Sequence, residues 1–148
     1  MKVMALGHVV LKVGNLDRSL AFYSQTLGLR MVARTIIRDM PMAFFSIAGN
    51  HHDLALMEVA AATLPAESNT GLAHLALKIG NSLDELRAAR AHLQARGITI
   101  DRTVQHRVAQ SLYIQDPDGN RIELYVDGDP AVWRNDPSTV AHSEPLAL

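Results

Sequence analysis

His8-Val9-Val10-Leu11-Lys12-Val13-Gly14-Asn15 returns 66 residues later as His74-Leu75-Ala76-Leu77-Lys78-Ile79-Gly80-Asn81. Five of the eight positions are identical, and the other three exchange branched or small apolar residues. Self-similarity at a fixed offset divides a chain into equivalent structural units, and here the segment after each copy repeats as well. After the first, Asn15 reads as an N-cap and Leu16, Leu20, Tyr23 and Leu27 fall on one face of a helix over 16–27, with Gly28 as its stop. After the second, Ser82 and Glu85 form a capping box, Leu83, Leu86, Ala89 and Leu93 give the apolar face, and Gly97 ends the helix. Strand-like runs succeed the helices at 29–37, 42–48 and 53–59 in the first half, and at 98–104, 108–115 and 121–126 in the second. Between them stand turn residues at Asp39-Met40-Pro41, Gly49-Asn50 and Asp116-Pro117-Asp118-Gly119-Asn120. Each half therefore reads strand–helix–three strands. The expected fold class is α+β, with two βαβββ modules (4–62 and 72–127) within one domain, 1–127. A polar, proline-containing linker over 63–71 joins the halves. Residues 128–148 read as a C-terminal arm whose Trp133 can dock on the body or on a partner.

Composition narrows the chemistry. The 148 residues carry 14 Lys and Arg against 15 Asp and Glu, a net charge of −1, with 48% hydrophobic and 20% charged residues. That is a globular rather than a disordered composition. It lacks the basic excess that nucleic acid or an anionic membrane surface would demand. No apolar run approaches the length of a membrane span and no signal-peptide pattern is visible, so a cytoplasmic location is expected. There is no cysteine, which excludes disulfide scaffolds, Cys-ligated zinc, iron–sulfur clusters and thiol nucleophiles. Seven histidines are the one unusual feature. Any metal site must be built from imidazole and carboxylate.

Strand parity gathers the candidates, because alternate side chains point to opposite faces. Val9, Leu11 and Val13 form a face for the helix to cover, leaving His8, Val10 and Lys12 opposite. Leu75, Leu77 and Ile79 do the same, leaving His74, Ala76 and Lys78. Ile122, Leu124 and Val126 oppose Arg121, Glu123 and Tyr125, and Leu112 and Ile114 oppose Ser111, Tyr113 and Gln115. His8, His74, Glu123 and Tyr113 thus share the side away from the helices, the inside of a cup if the sheet curls. Two imidazoles and one carboxylate are the ligand set of facial-triad Fe(II) sites, and Mn(II), Zn(II), Ni(II) or Co(II) accept the same ligands.

At this point the residues resemble the vicinal oxygen chelate superfamily, over 4–127, which implies that the two modules form a curled mixed sheet around a metal-binding cup. The most specific segment is Asp116-Pro117-Asp118-Gly119-Asn120-Arg121-Ile122-Glu123, which is similar to that family's closing hairpin and ends on its carboxylate ligand. The resemblance implies a metal held by His8, His74 and Glu123. The position 66 residues before Glu123 is Met57, which cannot act as a hard ligand, and Glu58 shares the parity of the core residues Leu54 and Leu56. Three protein ligands are therefore expected rather than the four of a glyoxalase I. His106, Tyr113 and Glu123 look like the His…Tyr…Glu run of type I extradiol ring-cleaving dioxygenases, and His51-His52-Asp53 resembles the segment carrying their acid–base histidine. On that likeness His52 is the acid–base group, Tyr113 binds a substrate oxygen and His106 is an accessory histidine. Residues 129–133 look like the segment after the last strand in single-domain members.

The implied activity is cleavage of a catechol-type aromatic diol with O2, using Fe(II), in a homodimer that completes the pocket. Two other readings fit the same fold. A glyoxalase-like isomerase, epimerase or thiol transferase would use the metal without O2, and Lys12 and Lys78 would suit an anionic substrate. A drug-binding protein similar to the bleomycin-resistance members would bind ligand without metal. The sequence is compatible with modules that pair within one chain or between two.

Overall fold

The computed structural model describes residues 1–60 and 70–148; nearly all of the expected linker lies outside them. The chain forms two compact units, Met1–Pro65 and Ala66–Leu148. The first runs β1 (Val9–Val13), α1 (Leu16–Leu20), a π-helical turn (Ala21–Thr26), β2 (Arg30–Ile37), β3 (Met40–Ser46) and β4 (Leu54–Glu58). Its sheet has the order β1-β4-β3-β2, with β1 parallel to β4 and the other pairs antiparallel. The second unit runs β5 (Leu75–Gly80), α2 (Leu83–Ala95), β6 (Arg102–Gln105), β7 (Ala109–Gln115) and β8 (Arg121–Asp127). It continues through α3 (Pro130–Asn135), a 3-10 turn (Pro137–Ala141) and β9 (Glu144–Pro145). Its order, β5-β8-β7-β6-β9, repeats the first sheet and adds one edge strand. The fold is α+β, two mixed sheets of four and five strands, each built on the βαβββ pattern.

Parity places the cores as the sequence implies. Leu11 and Val13 are buried while Val10 and Lys12 are exposed, and Ile122, Leu124 and Val126 are buried on β8. The first helix departs from expectation. Leu16, Ser19, Phe22 and Tyr23 are buried, whereas Leu20 and Leu27 are only half-buried. The helix widens at Ala21, with Leu27 N–H reaching back five residues to the Phe22 carbonyl at 3.0 Å. A wider turn has more residues per revolution, so a face drawn at 3.6 residues drifts off the core. Tyr23 then meets Phe45 of β3, ring centroids 6.1 Å apart.

Two other boundaries move for local reasons. The β2–β3 turn sits at Arg38-Asp39, one residue earlier than Asp39-Met40-Pro41 suggests, with φ of 52° and 63°. Two left-handed residues make the turn whose twist matches that of the flanking strands. Residues 98–101 are not strand, because Ile98 N–H still closes onto the Leu93 carbonyl (3.0 Å) and prolongs the end of α2.

The α2 cap works as its sequence implies. Ser82 Oγ accepts from Glu85 N–H (3.4 Å), and Glu85 Oε2 accepts from Ser82 Oγ and Asn81 N–H, both at 2.8 Å. Gly80 leaves room for that carboxylate, since a Cβ there would fall 2.5 Å from Glu85 Cδ. The Asn81 and Ser82 bonds hold the Glu85 carboxyl below its ordinary range. Its contribution to stability is therefore present above the unfolded-state pKa and lost as pH falls through the folded one. Ser82→Ala is expected to lower stability by about 1 kcal/mol, or roughly 2–4 °C in Tm, and Glu85→Gln to flatten the acid limb of a Tm–pH curve. Among the described residues no helix is long and apolar enough to cross a membrane.

Candidate active site

In the second unit, strand register makes one row across four strands. Ala76 on β5 pairs with Glu123 on β8, Glu123 with Tyr113 on β7, and Tyr113 with Arg102 on β6. His74 lies just before β5. Its Nε2 stands 3.0 Å from Glu123 Oε2. The other carboxylate oxygen accepts a 2.5 Å hydrogen bond from Ser111 Oγ and lies 3.9 Å from His106 Nε2. Glu123 is 8% exposed, and among the described residues no Lys or Arg pairs with it. A buried carboxylate that faces imidazole and hydroxyl rather than a fixed cation is a site prepared for a positive charge.

His106 is oriented by its own neighbours. Nδ1 lies 2.8 Å from the His142 carbonyl and must donate there, which leaves Nε2 of the neutral ring as the acceptor facing Tyr113 OH at 3.5 Å. Burial, then the Glu123 carboxylate, push the Tyr113 phenol above its ordinary pKa, with Arg102 opposing. Tyr113 therefore stays protonated, a donor at neutral pH. Its ring packs edge-on against His74 (5.7 Å), and the Arg102 guanidinium lies 4.3 Å from the ring centroid. Lys78, one of the two lysines read as facing the cup, is ion-paired with Asp127 at 2.5 Å.

The first unit gathers a separate cluster. The His8 and His52 rings are 4.3 Å apart, His52 meets the edge of Phe44 at 5.2 Å, and His51 Nδ1 is 2.7 Å from His52 Nδ1. One of those two nitrogens must carry the proton that the other accepts. Burial first, then the neighbouring His8 and His51, depress the His52 pKa, so its neutral form prevails at neutral pH. Asp53, next in sequence, serves the loop instead. Its carboxylate accepts from Ile47 N–H (2.7 Å), Ala48 N–H (3.2 Å) and Asn50 Nδ2 (2.6 Å). Glu58 likewise turns to the helix side, where Oε2 accepts the Leu16 N–H at 2.6 Å.

The structure thus brings His74, Glu123, Tyr113 and His106 together in one unit, and His8 and His52 together in the other. Within either unit, the described residues hold no group of three His, Asp or Glu arranged as metal ligands. Two participants escape a reading of the sequence. Ser111 shares the face of Tyr113 by parity, but nothing in the alternation gives it a role; only its diagonal placement to Glu123 in the sheet does. The His142 carbonyl carries no side-chain signal at all. The Asp116 turn that leads into β8 is caged by its own carboxylate, which accepts from Asp118 N–H (2.9 Å), Asn120 N–H (2.8 Å) and Asn120 Nδ2 (2.9 Å). That cage sets the entry of the strand bearing Glu123.

A family model described as the Glyoxalase/Bleomycin resistance protein/Dioxygenase superfamily matches residues 5–124. The chain belongs to that superfamily. Among its relatives within it, a catechol-2,3-dioxygenase of Bacillus subtilis (strain 168) is 36% identical over 132 residues, covering 88% of this chain and 44% of the relative. A biphenyl-2,3-diol 1,2-dioxygenase 3 of Rhodococcus globerulus is 34% identical, covering 82% and 63%. The chain thus spans only about half of the length of these dioxygenases. A lactoylglutathione lyase of Neisseria meningitidis serogroup A is 29% identical, covering 82% of this chain and 89% of the relative. Among solved structures, a glyoxylase/bleomycin resistance protein/dioxygenase domain from Frankia sp. EAN1pec superposes with a TM-score of 0.74 at 22% identity. It covers 86% of this chain and 100% of that one.

Proposed function

We propose that this superfamily member is a metal-dependent extradiol ring-cleaving dioxygenase, taking a catechol-type aromatic diol and O2. The observation that carries the reading is the His74–Glu123 pair at 3.0 Å, its carboxylate buried and flanked by Tyr113 and His106. The two dioxygenase relatives support it, and so does the donor set. An imidazole nitrogen beside a carboxylate that has no fixed counter-cation makes a nitrogen–oxygen donor pair that fits a first-row divalent ion, with Fe(II) first and Mn(II), Zn(II), Ni(II) or Co(II) as alternatives. His74 and Glu123 are the ligands proposed from the second unit. His8 is the ligand proposed from the first, on the strength of its equivalence to His74 in the repeat. When bound, such an ion supplies a common holding point for both diol oxygens and O2, and a path for charge between them.

The chain's own residues do the rest. Ser111 holds one Glu123 oxygen and so orients the carboxylate, the role of an outer partner in a metal site. Tyr113, kept protonated, donates a hydrogen bond to a ring oxygen of the diol. His106, its tautomer set by the His142 carbonyl, accepts the single Tyr113 proton while no diol is bound, and the phenol turns that proton to the diol oxygen when substrate arrives. His52 is the proposed acid–base group: a neutral imidazole takes the second catechol proton and later returns a proton to the departing oxygen. Both oxygen atoms enter a muconic semialdehyde-type product, opened next to the diol. Tyr113→Phe is expected to lower kcat/KM about tenfold, the worth of one hydrogen bond to a charged oxygen, with metal content unchanged.

The test is anaerobic loading with Fe(II), followed by O2 uptake and absorbance with catechol, 3-methylcatechol and 2,3-dihydroxybiphenyl. One O2 consumed per yellow product is expected. No uptake with any of the three defeats the reading. The near full-length match to the lyase favours a second reading, a glyoxalase-like isomerase, epimerase or thiol transferase. Turnover with Ni(II), Co(II) or Mn(II) and no O2 uptake would select it. Ligand binding retained without metal in His8→Ala would select the non-enzymatic binding protein instead.

A further inference from the structure

Arg102 stands one register step beyond Tyr113 in the row that begins at Ala76 and Glu123. Its guanidinium sits over the Tyr113 ring, 4.3 Å from the centroid, which holds it over the site instead of letting it swing free. It forms no ion pair with a carboxylate among the described residues. Arg102 also lines a cavity of about 350 Å³ together with His106, Tyr113 and the segment Ser143, Glu144 and Pro145 of the C-terminal arm. That volume falls in the ordinary range for small-molecule sites, about 300–1,000 Å³. The Glu144 carboxylate on its rim is 3.6 Å from His142 Nε2. A guanidinium stacked on an aromatic ring is weakly hydrated and presents a planar fork of donors suited to a carboxylate.

We propose that Arg102 is a specificity residue, and that the cavity it shares with Tyr113 and His106 receives a carboxylated ring substituent of the substrate. The proposal rests on the dioxygenase reading and deepens it. The preferred substrate is then an anionic aromatic diol, one whose hydroxyls lie toward Glu123 and whose carboxylate reaches Arg102. Two strand spacings separate the strands bearing Glu123 and Arg102, about 10 Å, a span that suits a carboxylate carried on a short side chain better than one attached directly to the ring. The arm supplies one wall. Its last strand, β9, pairs with β6 at Val104 and Gln105, and Thr103 Oγ1 donates to the Leu146 carbonyl at 2.7 Å.

The experiment compares two diols that differ only in charge, 3-(3,4-dihydroxyphenyl)propionate and 4-propylcatechol, with the Fe(II)-loaded full chain. The wild type is expected to favour the acid. Arg102→Gln is expected to lower the ratio of the two kcat/KM values tenfold or more, mainly through KM of the acid, and Arg102→Lys to recover part of the ratio. An unchanged ratio in Arg102→Gln overturns the proposal. A parallel calorimetric titration uses the monophenols 3-(4-hydroxyphenyl)propionate and 4-propylphenol, which the reaction cannot cleave. Binding of the acid that depends on Arg102, without cleavage of either diol, keeps the anion site and removes the dioxygenase reading. Cleavage of both diols with no dependence on Arg102 in either assay keeps that reading and removes the anion site.

Discussion

Glu123→Gln is expected to reduce ring cleavage to background and to remove the metal-induced rise in thermal stability. The amide oxygen can still accept from Ser111, so the protein without metal should melt within a few degrees of the wild type. What is lost is the negative charge that two neutral imidazoles cannot replace. Deleting even an outer partner of a metal ligand costs 10–100-fold in affinity, and deleting the ligand itself should exceed about 100-fold. At a metal concentration one hundred times the wild-type Kd, bound metal adds about 2.7 kcal/mol of stability. For a chain of this length that is roughly 5–10 °C in Tm. Differential scanning with and without added metal measures it directly. A Glu123→Gln protein that shows the full metal-induced shift would remove Glu123 from the ligand set.

The second large effect is placed at His52, and it separates chemistry from binding. His52→Gln is expected to lower kcat by about 10²–10⁴-fold, the usual contribution of a positioned acid–base group. Diol affinity and metal content should hold, because the variant keeps polarity and loses only the ability to carry a proton. Single-turnover kinetics alongside equilibrium titration resolve the two. The neighbouring His51→Gln serves as comparison. It removes the 2.7 Å partner of His52 Nδ1 and leaves the imidazole, so its loss should be much smaller. Equal losses in the two variants would mean that the cluster as a whole, rather than His52, carries the proton.

Much of the fold and part of the candidate site are legible in the sequence because the signals are local. A repeat that preserves His, Leu, Lys, Gly and Asn at matching positions announces two equivalent modules. Alternation along β5 and β8 puts Glu123 on the face away from the helix, and in the folded chain it lies there, within reach of His74. The capping box at Ser82 and Glu85 is spelled out in adjacent residues and forms as spelled. The π-turn after Leu20 is not legible, because it is a change of helical pitch that serves the fit of Phe22 and Tyr23 to the sheet. Nor is the arm's behaviour. Residues 128–148, with three prolines, read as an arm, and nothing in them announces that β9 pairs along the edge of β6 through main-chain hydrogen bonds.

The order of the amino acids, by itself, determined which side chains of the strands face which way and where α2 begins, since the two-residue period of a strand and the caps of a helix are written in neighbours. Only the folded chain decided what those side chains touch. The Ser111 hydroxyl on Glu123 and the guanidinium over Tyr113 depend on the register of neighbouring strands, and the His142 carbonyl that selects the tautomer of His106 comes from an arm 36 residues away. Register is set by the packing of whole sheets, and no short stretch of residues contains it.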